Sequence, residues 1–189
     1  MTTTNSTSLN LPEKIVALHQ ALTRAQLPHA FGGALALAWC TQRARGTIDI
    51  DINLFVEGKD CELIFNALPK DVKHTAKLRA ELKKEGQVRL WWDKTPVDLF
   101  LNTTPFHTEA AKRVRWETFI EQEMPFLACN DIAVFKIFFN RTQDWADLEA
   151  MQKAGTLDIK KVTAVITEYL GVDDERITYL KELSGNKLV

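Results

Sequence analysis

The chain has 189 residues, 46% of them hydrophobic and 26% charged, with a formal net charge of −1. That length suits one domain, or one domain with a small appendage, and buries enough surface to fold without a disulfide staple. The charge gives no bulk attraction for nucleic acid, and no run of about 18 apolar residues is present to span a membrane.

The start, MTTTNSTSLN, is polar and lacks the apolar and basic stretches of a signal peptide, so residues 1–10 read as a disordered tail. Pro12 opens a helix over Leu11–Gln26, with Ile15, Leu18, Leu22 and Ala25 at helical spacing. His29–Phe31 is a short strand ended by Gly32 and Gly33, and Ala34–Gln42 a buried helix. Thr47–Val56 is the first long strand; Gly58 breaks it and Asp60 caps a helix through Leu68. Lys77–Glu85 is a charged helix closed by Gly86. Gln87–Trp92 and Val97–Asn102 are strands joined by a turn.

Thr108–Val114 carries a weak helical pattern, and Pro125–Cys129 is a short apolar strand. Helices follow from Asn130 or Asp131 to Phe139, over Thr142–Lys153 and Ile159–Leu170, and from Asp173 or Asp174 to Leu183. This predicts an α+β fold: a mixed sheet flanked by helices in a core over residues 11–129, with a helical C-terminal subdomain over residues 130–189. Cys40, Cys61 and Cys129 are far apart, odd in number and form no CxxC pair. A reduced, cytoplasmic chain is the simplest account.

The chemistry concentrates around TIDIDI. Strand side chains alternate, so Asp49 and Asp51 share one face, and Ile48, Ile50 and Ile52 the other. A polar outward face would account for two aspartates. Yet Asp is a poor strand former, and two like charges roughly 6–7 Å apart repel unless a cation lies between them. A third carboxylate, Asp98, stands in the apolar strand PVDLFL. Were the two strands neighbours, three carboxylates would converge, a donor set suited to Mg²⁺ or Mn²⁺ and not to zinc. Gly32-Gly33 adds a strand-to-helix turn where backbone can approach a phosphate and a helix N-terminus favours an anion. Alone, such a glycine pair is an ordinary turn.

Together these residues resemble the nucleotidyltransferase superfamily, the DNA polymerase β-like group, over Phe31–Asn102. The shared pattern is hG[GS], a helix, DhDh, then a later h[DE]h. The form Arg45-Gly46-Thr47-Ile48-Asp49-Ile50-Asp51 is similar to small bacterial members, including AbiEii-like toxins and stand-alone nucleotidyltransferases. NDIAVFKIFFNRTQDWADLEAM resembles the family's following helix pair, with Lys136, Arg141, Asp144 and Asp147 on its polar positions.

The resemblance implies transfer of a nucleoside monophosphate from an NTP to an acceptor. Asp49, Asp51 and Asp98 would hold two divalent ions, with Asp98 also the general base. Gly32 and Gly33 would cradle the β- and γ-phosphates, and Arg45, Thr47, Lys136 and Asp147 would contact the nucleotide. The implied acceptor is tRNA, another RNA or a protein, as for a toxin paired with an antitoxin; the alternatives are a small molecule such as an antibiotic, or a non-catalytic nucleotide-binding module. Many relatives carry Ser where this chain has Gly33, which leaves only the backbone N–H for the phosphate.

Other residues admit two readings from the sequence. Arg43 or Arg45 neutralises triphosphate charge, or is a solvated arginine before a strand. Lys136, on an otherwise apolar helix, reaches the nucleotide or the aspartates, or snorkels from a core face. Asp144 and Asp147 share a helix face and either position Arg141 and Lys136 or simply begin a helix. Trp91 and Trp92 divide between core and surface, or one stacks on a base. AKRVRW, Ala111–Trp116, is a solvated basic turn or an RNA patch.

Overall fold

The computed structural model describes residues 8–44 and 46–185. Residues 1–7 of the expected tail, and Arg45, lie outside the described residues. Asn10 caps the first helix, α1 (Leu11–Arg24): its side chain accepts from the Glu13 N–H, and Glu13 accepts from the Asn10 N–H in return.

The strands are β1 (His29–Phe31), β2 (Ile50–Leu54), β3 (Val72–Lys73), β4 (Gln87–Trp92), β5 (Thr95–Leu101), β6 (Arg115–Phe119) and β7 (Gln122–Phe126). They form one mixed sheet in the order β3-β4-β5-β2-β1-β7-β6. Between them run α2 (Gly33–Thr41), α3 (Cys61–Ala67), α4 (Ala76–Glu85) and α5 (Pro105–Ala111); α6 (Cys129–Phe139), α7 (Thr142–Lys153), α8 (Ile159–Leu170) and α9 (Glu175–Gly185) follow the sheet. This is the α+β architecture expected, a mixed sheet flanked by helices. No described helix is long and apolar enough to cross a membrane.

One sheet face is apolar and buried. Ile50, Ile52 and Leu54 of β2, Val88, Leu90 and Trp92 of β4, and Val97, Leu99 and Leu101 of β5 all point there. Helix α1 lies over that face, its buried Lys14 ammonium 5.6 Å from the Trp92 ring and donating to the Trp92 carbonyl at 2.9 Å. The opposite face carries Asp51, Arg89 and Asp98. α6 packs against α2, α7 and α8, and so ties the C-terminal helices to the element that follows the paired glycines.

Three local expectations are corrected, and one strand had no counterpart in the sequence reading. Strand β2 starts at Ile50, not Thr47, so Asp49 precedes the strand and Ile48 is 70% exposed. The cause is a side-chain turn: the Thr47 hydroxyl donates to the Asp49 carbonyl at 3.3 Å and accepts from the Asp49 N–H at 3.2 Å, so those groups are diverted from a ladder. Strand β3 has two residues, too short for a periodic signal. The basic turn read into Ala111–Trp116 runs into β6, which forms a hairpin with β7, and the apolar strand begins at Gln122, not Pro125. Ile120 and Glu121 make its turn at φ of 46° and 60°, values usually supplied by Asn-Gly pairs.

The reduced-cysteine reading is also corrected. Cys40 at the end of α2 and Cys129 at the start of α6 form a disulfide with Cα atoms 5.6 Å apart, across 89 residues of sequence. Cys61 is free and buried.

Candidate active site

Gly32 and Gly33 join β1 to α2, and each is constrained by what stands behind it. The Gly32 N–H donates to the Asp51 carbonyl at 2.9 Å. A Cβ on Gly32 would come within 2.9 Å of the Asn53 amide nitrogen. The backbone therefore lies directly on β2, and the first free N–H groups of α2 open beside the Asp51 carboxylate.

Strands β2 and β5 run parallel with Asp51 paired to Asp98. Residues at the same register in neighbouring strands share a face, so both carboxylates emerge side by side. Asp49 reaches the same place from the preceding loop. Burial, then the charges of Asp98 and Asp49, push the Asp51 carboxyl up to about 6, against the opposing pull of Lys136 and Arg141.

The cation that faces these carboxylates is Arg89 on β4, a residue the sequence reading did not single out. β4 and β5 are antiparallel with Arg89 opposite Asp98. The Arg89 Nε donates to Asp98 Oδ1 at 2.7 Å and Nη2 to Asp98 Oδ2 at 2.6 Å, a two-pronged bond. Nη2 also reaches Asp49 Oδ2 at 3.3 Å. A signal was present: once Trp92 pairs with Thr95 across the turn, counting outward sets Arg89 against Asp98.

The donor set suits a hard divalent cation in kind, since it consists of carboxylates on adjacent backbone segments with like charges close together. Its arrangement with Arg89 in place differs: among the described residues no three ligating side chains are gathered for a metal ion. The chemistry therefore fits while the guanidinium spans two of the three donors.

The far wall of the cleft comes from α6 and α7. Lys136 is buried, with its ammonium 2.6 Å from Asp147 Oδ2 and 3.3 Å from Asp144 Oδ1. Gln143 donates to the other Asp147 oxygen at 3.0 Å. Arg141 bonds Asp144 through Nε at 2.7 Å and through its backbone N–H at 3.2 Å. Burial pushes the Asp144 carboxyl up, but the Arg141 bonds and the Lys136 charge together outweigh it and hold it below the usual range. Lys136 and Asp147 thus form a buried ion-paired set at the cleft wall, and Asp144 positions Arg141.

Thr47 lines the cleft, with its hydroxyl on the Asp49 backbone. Arg43 is exposed, and Arg45 lies outside the described residues. Trp92 is buried and Trp91 is 46% exposed, the division between core and surface expected of adjacent strand residues.

These groups border a polar cleft of about 590 Å³ that includes Gly33, Asp49, Asp51, Asp98, Lys136 and Arg141. A second cavity, about 230 Å³, shares Gly33, Asp51, Lys136 and Arg141 with it and continues between β5 and α6. Its walls are aromatic: Phe100, Phe135, Phe138, Phe139 and His107. The His107 ring lies 4.9 Å from that of Phe135, and burial lowers its pKa to about 4. The polar cleft and the aromatic cavity therefore meet at Asp51.

The fold recurs in solved structures. The antibiotic-resistance factor ANT(2'')-Ia, in solution, superposes with a TM-score of 0.58 over 92% of this chain and 96% of its own, at 14% identity. The two share one fold. An antigenic nucleotidyltransferase-like protein from Paracoccidioides brasiliensis superposes with a TM-score of 0.51 over 90% of this chain and 92% of its own, at 15% identity. A crystal structure of ANT(2'')-Ia in complex with adenylyl-2''-tobramycin gives 0.51 over 92% and 97%, at 11% identity. No protein-family model matches the sequence, and no curated protein matches it significantly.

Proposed function

We propose that the protein transfers a nucleoside monophosphate from an NTP to a hydroxyl of a small-molecule acceptor, with Mg²⁺ or Mn²⁺ held by Asp49, Asp51 and Asp98. One observation carries the reading: Asp51 and Asp98 stand at the same register of adjacent parallel strands, beside a glycine-shaped helix N-terminus. Bound there, divalent ions would neutralise charge at the reacting phosphate and stabilise the attacking and leaving oxygens. The protein's own groups do the rest. The first N–H groups of α2 donate to phosphate oxygens at the positive end of the helix. Arg141 adds positive charge to the same wall. Asp98, once free of Arg89, is placed to accept the proton of the acceptor hydroxyl.

The aromatic cavity favours a small acceptor, since it opens on Asp51 and suits an apolar or planar portion. Neighbours with this fold include an antibiotic nucleotidyltransferase seen with an adenylylated antibiotic. The segment considered as an RNA patch offers little free charge: Lys112 pairs with Glu109, Arg113 with Asp131 and Arg115 with Glu117.

The test incubates the purified chain with each α-labelled NTP and Mg²⁺, against a panel of hydroxylated small molecules and total RNA. Label on a small molecule, lost in Asp49→Ala, is the expected result. Label on RNA or on a protein would move the acceptor to the macromolecular class that a toxin modifies. No product with any NTP and any acceptor would overturn the reading.

A further inference from the structure

We infer that Arg89 is the resident counter-cation of the carboxylate cluster, and that a divalent ion must displace its guanidinium to be held by Asp98 and Asp49. The inference rests on the metal-dependent reading above and concerns how that site is guarded.

The geometry carries it. Arg89 engages both Asp98 oxygens, at 2.7 and 2.6 Å, and an Asp49 oxygen at 3.3 Å. A guanidinium only donates and stays charged at every accessible pH. A divalent ion on the same oxygens would lie about one hydrogen-bond length from it, where two cations repel strongly in a half-buried cleft. The two occupants therefore exclude each other on Asp98.

The displacement is physically accessible. The Arg89 side chain is 51% exposed, against 14% for Asp98, so the arginine is the mobile partner and the aspartate the fixed one. Glu81 and Gln87 line the same hollow and offer acceptors to a guanidinium that swings away. The bland reading is a cross-strand ion pair that supports the sheet. Losing a nearby positive charge raises metal affinity by itself, so the charge-keeping Arg89→Lys separates the two readings: a guard whose fork occupies the oxygens is relieved by it, whereas a merely structural pair leaves affinity unchanged.

The test uses the full chain and Mn²⁺ alone, titrated by the loss of the free-ion electron paramagnetic resonance signal, with circular dichroism to confirm folding. Arg89→Gln is expected to bind Mn²⁺ at least tenfold more tightly than the wild type. Arg89→Lys, which keeps the charge without the fork, should fall between them. Adding Asp98→Asn to Arg89→Gln should remove the gain. Equal or weaker Mn²⁺ affinity in Arg89→Gln, or unchanged affinity in Arg89→Lys, overturns this inference alone, as does a gain that survives Asp98→Asn. Absence of Mn²⁺ binding by both wild type and Arg89→Gln overturns it together with the metal-dependent reading.

Discussion

A Cβ atom at residue 33 would stand 1.9 Å from the Asp51 Oδ2 oxygen, and Gly33 has a φ of +50°. Glycine is therefore required twice over, by the left-handed backbone and by the carboxylate that touches it. Gly33→Ser should cost roughly 1–3 kcal/mol from backbone strain alone, and more if Asp51 is forced aside. Urea denaturation measures the stability, and nucleotide transfer should fall with it.

Asp51→Asn separates stability from chemistry. The folded Asp51 pKa of about 6 lies above its ordinary 3.8, so its charge opposes folding. That cost is fully present above pH 6 and is relieved as pH falls from 6 through 3.8. Without divalent ions, the variant should be more stable than wild type by roughly 1–3 kcal/mol at pH 8, with the gain fading toward pH 4. Denaturation at both pH values checks this. Transfer should drop by more than the roughly 100-fold that loss of an outer-shell metal partner costs.

Lys136 is tied to two buried carboxylates, so Lys136→Met should destabilise the fold by about 3–5 kcal/mol by leaving them unpaired. A chemical-denaturation midpoint is the readout. A lysine serving only the nucleotide would instead leave stability intact and weaken NTP binding.

His29 predicts acid sensitivity. It is 8% exposed, donates from Nδ1 to the Leu27 carbonyl at 2.8 Å, and so presents Nε2 as acceptor to His19 Nδ1 at 3.0 Å. Burial lowers its pKa to about 4 from 6.5, so the unfolded chain takes up the proton first. Its contribution is whole above pH 6.5 and is lost as pH falls from 6.5 to 4, by up to about 3 kcal/mol. His29→Leu should flatten the stability profile across that window; an unchanged slope would count against the buried neutral ring.

The Cys40–Cys129 bond predicts one titratable thiol in the unfolded, unreduced protein and three after reduction. Reduction should lower stability by about 2–5 kcal/mol. Thiol counting and a melting curve with and without reductant test the two statements separately.

Much of the architecture was legible because period and punctuation agreed. Pro12 marks the start of α1, Gly86 ends α4, and alternation in QVRLWW separates Trp91 from Trp92. The glycine pair and three aspartates were legible as a pattern, though what they hold is not written in it. The failures have local causes. A threonine side chain withdrew Asp49 from β2, and the Ile120-Glu121 turn uses residues that rarely take positive φ. The disulfide joins cysteines that only the packing of α2 on α6 brings together. Arg89 required strand register, which periodicity alone does not supply.

The place of β1 has a practical consequence. Its three buried residues lie between β2 and β7, and β7 comes from a segment almost a hundred positions later in the chain. A fragment cut after Asn102 would keep Asp49, Asp51 and Asp98 yet expose an apolar, unpaired sheet edge at β1. Such an edge recruits other chains. Material prepared that way should precipitate, so loss of activity in a shortened chain would report on aggregation and not on chemistry.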